Sequence, residues 1–275
     1  MADCRASIQT GNDVIPWRDN TQKVFFLDKH LIIGFAGDIE TAGSIIAFLS
    51  RQIHDRPQLG NIHIFARKGP ALIKYAYEEL SKNKPVGEVA FIIAGVDFNR
   101  PERVVDSAGK VTGHMPFFDR KVFKLSSPDF LLHNTSILES PIVIIGSGTP
   151  ALTEELEKSF KGLQFSFALA GSLAISATTI SGILMSKARE VGIDSVGGLM
   201  QIAVIENTGA GFVPYKSRSD SHKGPHLDLE LSINPDGRFV QKNLITGQEV
   251  LVLSPPEVIQ IKDPAVQLFA DLETT

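Results

Sequence analysis

A single cysteine, Cys4, stands in 275 residues. This excludes an internal disulfide framework and fits a reducing compartment such as the cytoplasm. Blocks of lysine or arginine are also missing, and the net charge is −4. Nothing therefore supplies the electrostatic footprint that a nucleic-acid partner requires. The N-terminus, Met1-Ala2-Asp3, lacks the basic-then-apolar pattern of a secretory signal, and no internal repeat of solenoid length is visible. With 43% hydrophobic and 21% charged residues, the composition is that of a globular chain able to build a substantial core. At this length a single domain spanning residues 1–275 is expected.

Charge is absent from Phe165 to Met185, a run long enough to cross a bilayer. The run is thick with Ser166, Ser172, Ser176, Thr178, Thr179 and Ser181, and with Gly171 and Gly182. Small residues of this kind are also what a fully buried helix needs for close packing. A core helix is expected here, and no membrane partner.

What is present is a sequence of short apolar runs and helical periodicities. Val24-Phe25-Phe26-Leu27 and Leu31-Ile32-Ile33 predict two strands, with Asp28-Lys29-His30 as the hairpin connection. Beyond Asp38 the residues Ile39, Ala42, Ile45, Ile46, Leu49 and Ile53 recur at three- and four-residue steps, which predicts an amphipathic helix capped by Asp38 and closed by Pro57 and Gly60. A second helix is predicted over Pro70–Lys82 and a buried strand over Val89–Gly95. Between Asn99 and Arg120 a loop or hairpin is expected, turning at Ser107-Ala108-Gly109-Lys110. Further strands are predicted at Val122–Leu125, Ile142–Ile145, Leu199–Ile205 and Leu227–Ile233. The last of these turns back at Asn234-Pro235-Asp236-Gly237 into Arg238-Phe239-Val240. Residues 1–21 read as a polar, turn-rich opening segment. Strands, paired helices, strands, paired helices and closing strands together suggest two sheets covered by helices on both outer faces.

Two motifs carry less than they promise. Ile142 to Ala151 reads as strand, G-x-G-x-x-A and helix, the outline of a dinucleotide fingerprint. That mechanism also needs an acidic residue about twenty positions on, to hold the ribose hydroxyls, and Gly162 to Ala188 contains none. His222 and His226 stand four apart, but Gly224 and Pro225 lie between them and forbid a helical zinc face. No cofactor and no metal is expected.

The chain resembles the proteasome family of N-terminal-nucleophile hydrolases, which includes proteasome β subunits and a ring-forming bacterial protease subunit partnered by an unfoldase. The resemblance is carried by Ala2-Asp3-Cys4-Arg5-Ala6-Ser7, similar to the family's A-D-x-R-[AV]-[TS], and by Lys23-Val24-Phe25. It continues in Phe35-Ala36-Gly37 ahead of the first helix, in Gly146-Ser147-Gly148, and in Asp194-Ser195-Val196-Gly197-Gly198. It covers about residues 1–205 and leaves residues 206–275 as a C-terminal extension. In the last motif Asp194 departs by one position from the family spacing.

The resemblance implies an α+β fold, a four-layer αββα sandwich, here truncated at its first strand. It also implies threonine-type hydrolysis of peptide bonds in peptides or unfolded proteins, within a homo-oligomeric ring and with an ATP-dependent unfoldase as a further possible partner. In this family an N-terminal threonine hydroxyl attacks the amide carbonyl while its own α-amine serves as base. By the match Lys23 would sit beside the nucleophile as a positive charge, with Asp3 as its partner. The Gly37 amide would donate to the oxyanion. Ser147 and Asp194 would complete the hydrogen bonds around the amine. Ala6, Thr21, Phe35 and Ile39 would line the side-chain pocket, with the bulk of Phe35 narrowing it.

The departure is that no such threonine precedes Asp3 in these residues. One expectation is that the natural start lies upstream; another is a non-catalytic ring subunit or binding module. A third is processing that exposes Cys4 as nucleophile, although cleavage there would remove Asp3. Amidohydrolases of the same architecture that cleave small amides form a competing class. In either of the first two cases the polypeptide of residues 1–275 is expected to be catalytically incompetent.

Overall fold

The computed structural model describes residues 2–3, 6–10, 13–18, 21–82, 84–134, 145–146, 187, 190, 200–206, 208–212, 215–217, 229–233, 239–243, 247, 249–251, 260–264 and 269. The strand expected at Ile142–Ile145, the helix from Pro150, the uncharged helix, the paired histidines and the turn at Asn234–Gly237 lie wholly or almost wholly outside these residues. In chain order the strands before the first helix are β1 (Ala2–Asp3), β2 (Ala6–Thr10), β3 (Asp13–Arg18), β4 (Val24–Asp28) and β5 (Leu31–Gly37). Helices α1 (Ile39–Asp55) and α2 (Ile62–Ser81) follow, separated by a 3-10 turn at Pro57–Gly60. Then come β6 (Val89–Val105), β7 (Val111–Ser126) and β8 (His133–Asn134). The remaining strands are β9 (Met200–Gln201), β10 (Ala203–Glu206), β11 (Gly209–Phe212), β12 (Tyr215–Ser217), β13 (Leu229–Ile233), β14 (Phe239–Asn243) and β15 (Glu249–Leu251). The chain divides into two compact units. One is built from residues 1–24, 144–204 and 211–256, the other from 25–143, 205–210 and 257–275.

In the second unit, strands β4 to β8 form a five-stranded sheet in sequence order. The two-residue turn Lys29-His30 closes the β4–β5 hairpin, as the apolar runs predict. Leu31, Ile33 and Phe35 of β5, Val89, Phe91 and Ile93 of β6, and Phe123 and Leu125 of β7 are buried. They form one cluster with Ile45, Leu49 and Ile53 of α1 and Phe65, Leu72, Ile73 and Leu80 of α2. Period two along the strands thus meets period 3.6 along the helices, and both helices cover the same sheet face. Each of the larger fully buried side chains contributes about 1.5–3 kcal/mol by leaving water. Gly95 lets α2 come this close, because a Cβ there would lie 2.7 Å from Ile62 Cδ1.

Helix α1 starts as its cap predicts, Asp38 Oδ1 accepting from Thr41 N–H at 2.8 Å. Helix α2 corrects the expectation of a start at Pro70: it begins at Ile62, capped by Asn61, and runs through Pro70. An interior proline costs about 3 kcal/mol through its missing N–H and its clash with the preceding turn. The face Ile62, Phe65, Leu72, Ile73, Ala76 and Leu80, all buried, outweighs that cost. Of the loop or hairpin expected between Asn99 and Arg120, the structure shows the hairpin. Strands β6 and β7 continue as a paired ribbon to the turn at Asp106–Lys110, where Asp106 Oδ1 accepts from Ala108 and Lys110 N–H.

The C-terminal residues 260–264 and 269 belong to this unit and lie along the helices. Ile261 and Phe269 are buried in the core cluster, and the Arg56 guanidinium lies 3.9 Å over the Phe269 ring. Arg51 Nη2 donates to Ile261 O at 2.5 Å and to Asp263 Oδ1 at 3.0 Å, and Gln52 Nε2 donates to the same carboxylate at 2.8 Å. The Arg51–Asp263 pair is substantially exposed and contributes at most about 1 kcal/mol. The two buried apolar side chains are the stronger anchors.

Tyr75 OH donates to the carbonyls of Lys262 and Asp263 at 3.3 and 3.4 Å. Desolvation first, and the Glu79 carboxylate next, raise its pKa above 10.0. A group raised in the folded state contributes stability below its unfolded pKa and loses it as pH rises through the folded value. The margin in melting temperature of wild type over Tyr75→Phe is therefore expected to be constant near pH 8 and to shrink above pH 10, read by circular dichroism.

In the first unit, the polar, turn-rich opening expected over residues 1–21 is corrected at its described residues, of which 2–3, 6–10 and 13–18 are strands. Strands β2 and β3 pair antiparallel with Thr10 opposite Asp13, and β1 pairs antiparallel with β9. Ile8, Val14, Ile15 and Trp17 are strand formers, and they override the polar residues between them. Strands β12 to β15 form an antiparallel four-stranded sheet in which β13 and β14 pair as expected, Leu229 opposite Asn243. The strand expected over Leu199–Ile205 is instead broken at Ile202 into β9 and β10.

Candidate functional site

The segment Thr21–Val24 is held by one side chain. Gln201 Oε1 accepts from the Lys23 N–H at 2.8 Å and the Val24 N–H at 3.0 Å, and its Nε2 donates to Thr21 O at 2.6 Å. Gln201 and Thr21 are fully buried, so these bonds form away from competing water. The amide gives one backbone acceptor and two backbone donors a partner. Met200, the neighbour of Gln201 in β9, stands opposite Asp3 of β1. Asp3 and Lys23, far apart in the chain, are thus tied by their backbones to consecutive residues of one strand.

Ala6 opens β2 opposite Arg18, next to a register irregularity. Lys23 is half-buried. Gln201 is the positioning residue that sequence reasoning missed. Its only signal was a lone amide in the apolar run Leu199-Met200-Gln201-Ile202-Ala203-Val204-Ile205.

Gly37 lies in the other unit, where β5 gives way to α1. Its φ of +101° is in the left-handed region, and a Cβ on it would stand 2.2 Å from Glu88 O. Asp38 N–H donates to that same carbonyl at 2.8 Å. Val89, opposite Gly37, turns both its polar groups toward Ser127: its N–H donates to Ser127 Oγ at 3.0 Å and its C=O accepts from Ser127 N–H at 2.9 Å. In an antiparallel ladder the residue facing such a position is not hydrogen-bonded to it. The Gly37 N–H is thereby directed away from β6. Glu40, in the first turn of α1, pairs with Lys84.

Phe35 is buried in the core of this unit, its ring stacked 6.4 Å from that of Phe25. Ile39, the first residue of α1, is half-buried against the same core. Ser147 and Asp194 lie outside the described residues; next to Ser147, Gly146 takes a φ of +104°.

Among the described residues no group of three or more His, Cys, Asp or Glu side chains is placed to hold a metal ion. Nor, among them, is any helix long and apolar enough to cross a membrane. Neither known protein families nor curated proteins provide a match to this chain.

Proposed function

We propose that the chain is a ring-forming subunit of the proteasome-type N-terminal-nucleophile hydrolases, an αββα sandwich of the threonine endopeptidase class acting on peptides or unfolded protein. The observation that carries this reading is the convergence on β9. Asp3 is held opposite Met200, while Gln201 grips the Lys23 amide. These are the two residues whose charges the mechanism requires side by side. The left-handed Gly37 at the end of β5 adds to it, since an oxyanion donor at a tight turn suits a residue without a side chain.

The sheet of the second unit also suits a sandwich. Beneath its helix-covered face, the opposite face carries Ile32, Ala36, Ala90, Ile92 and Ala94, all half-buried. A sheet apolar on both faces needs a second layer on the side its helices leave open.

In this reading Lys23 stabilises the deprotonated attacking hydroxyl and Asp3 keeps the lysine charged and oriented. The test is the mass of the N-terminus in protein from its native source, together with hydrolysis of a fluorogenic peptide. A mature threonine terminus, and a loss of about 100-fold or more in kcat for Lys23→Ala at unchanged melting temperature, is the expected result. A native terminus at Met1 or Ala2 without hydrolysis would leave a non-catalytic subunit.

A further inference from the structure

Residues 260–264 reach α1 and α2 from the far end of the chain, and they carry neither helix nor ladder. Side chains reading main chain hold them instead. Arg51 Nη2 donates to Ile261 O, and Tyr75 OH donates to the carbonyls of Lys262 and Asp263. Ile261 and Pro264 are buried, while Gln260, Lys262 and Asp263 are exposed. Grooves that bind extended peptides grip them in this way: hydrogen bonds to the main chain give affinity, and pockets for particular side chains give specificity.

The floor of the groove is preformed. Gln52 is fully buried. Its Nε2 donates to Asp263 Oδ1 at 2.8 Å and its Oε1 accepts from Arg56 Nη1 at 2.9 Å. A buried amide held at both ends is fixed in orientation, and it presents an N–H where a carboxylate has to arrive.

Asp263 does not use all that the groove offers. Arg51 Nε is buried and, among the described residues, has no acceptor. A guanidinium holds a carboxylate best by two parallel N–H bonds, whereas Asp263 takes Nη2 alone and shares the same oxygen with Gln52. A buried donor left without a partner weakens the occupant that leaves it so. A carboxylate carried one methylene further, as in glutamate, would reach Nε together with Nη2.

Two buried apolar positions and three main-chain carbonyls describe a peptide, and a nucleic-acid strand has neither. We infer that the groove across α1 and α2 is a docking site for an extended acidic peptide of another protein, in the pattern aliphatic-x-Glu-Pro, and that residues 260–264 are a tethered competitor that closes it. The tether competes at an effective concentration of about millimolar. The groove lies within one unit of the chain and uses neither Asp3 nor Lys23, so its failure would leave the peptidase reading untouched.

The test titrates two fluorescein-labelled synthetic peptides into the full chain, read by anisotropy: residues 257–269, and the same peptide with Asp263→Glu. The proteins are wild type, a released chain with Ile261→Ser and Asp263→Ser, and the released chain with Arg51→Ala added, each checked for folding by circular dichroism. The released chain is expected to bind at least about tenfold tighter than wild type, and the glutamate peptide about fivefold tighter than the aspartate one. Adding Arg51→Ala is expected to weaken both and to abolish the difference. A folded released chain that binds neither peptide, or binds a scrambled peptide equally well, overturns the docking site. A wild-type dimer in sedimentation that the free peptide dissolves assigns the groove to the segment of a second copy and overturns the partner. Should the released chain fail to fold, hydrogen exchange of wild type decides. Millimolar glutamate peptide is expected to deprotect the amides of residues 260–263, and unchanged protection overturns the docking site.

Discussion

Gly37→Ala is expected to destabilise the second unit by about 3–5 kcal/mol, from backbone strain of about 1–3 and overpacking of about 1–3 kcal/mol, with a weakened hydrogen bond added. The strain arises because φ at this position is +101°, where an L side chain crowds its own backbone. The overpacking arises because the added Cβ would stand 2.2 Å from Glu88 O and 3.0 Å from Val89 Cα. Both neighbours are backbone atoms, so no side chain can rotate away. Moving Glu88 would also pull its carbonyl from Asp38 N–H, loosening the start of α1 just where Asp38 caps it.

Gly109→Ala is the control. Its φ is +77° but nothing lies within 4 Å of the added atom, so strain of about 1–2 kcal/mol is all that is expected. Urea unfolding of the two variants separates steric from conformational cost. Equal losses would mean that the Glu88 carbonyl yields freely and that Gly37 is required only for its dihedral angle. A loss of several kcal/mol is a large share of the roughly 5–15 kcal/mol that holds an ordinary domain together.

What could be read in advance was local. Asp38 before a 3.6-residue apolar period announces α1, and Lys29-His30 between two β-branched and aromatic runs announces the hairpin. Each signal lies within a few residues of its effect. Helix α2 was misread because proline is at home in a first turn, so Pro70 looked like a start. Its true beginning depends on Asn61 and on packing against β6. The outer half of the β6–β7 ribbon was hidden by Pro101, Pro116 and a polar composition that resembles a loop. Strands β1 to β3 were hidden by Gly11, Asn12 and short length.

The C-terminal segment shows no periodicity at all. It is placed by contacts with α1 and α2 across the length of the chain, such as Arg51 to Ile261. Of the candidate site, the residue types at Asp3, Lys23 and Gly37 were legible as a family pattern, whereas the means of holding two of them was not. A hydrogen bond from Lys23 to Gln201 spans most of the sequence and leaves no local trace.

That bond supports the second large prediction. Gln201→Ala is expected to cost about 2–4 kcal/mol in the first unit, because it removes three hydrogen bonds to backbone groups, each worth about 0.5–1.5 kcal/mol net. The groups bonded are Thr21 O, Lys23 N–H and Val24 N–H, in a place where Thr21 and Gln201 are fully buried.

Gln201→Glu distinguishes this hydrogen-bonding role from mere filling of space. A protonated carboxyl can still donate to Thr21 O and accept from the two N–H groups, reproducing the amide. A carboxylate cannot donate, and it sets its charge against the Thr21 carbonyl. Burial and that carbonyl both favour the neutral acid and raise its folded-state pKa above the unfolded value of about 4.3. The stability of Gln201→Glu should therefore be highest below about pH 4 relative to wild type at the same pH, and should fall as pH rises through the raised folded value. Gln201→Ala should show no such relative dependence. Parallel pH profiles for the two variants would mean that the side chain at 201 serves only to fill volume. The tie that brings Lys23 to the strand paired with Asp3 would then have to be sought elsewhere.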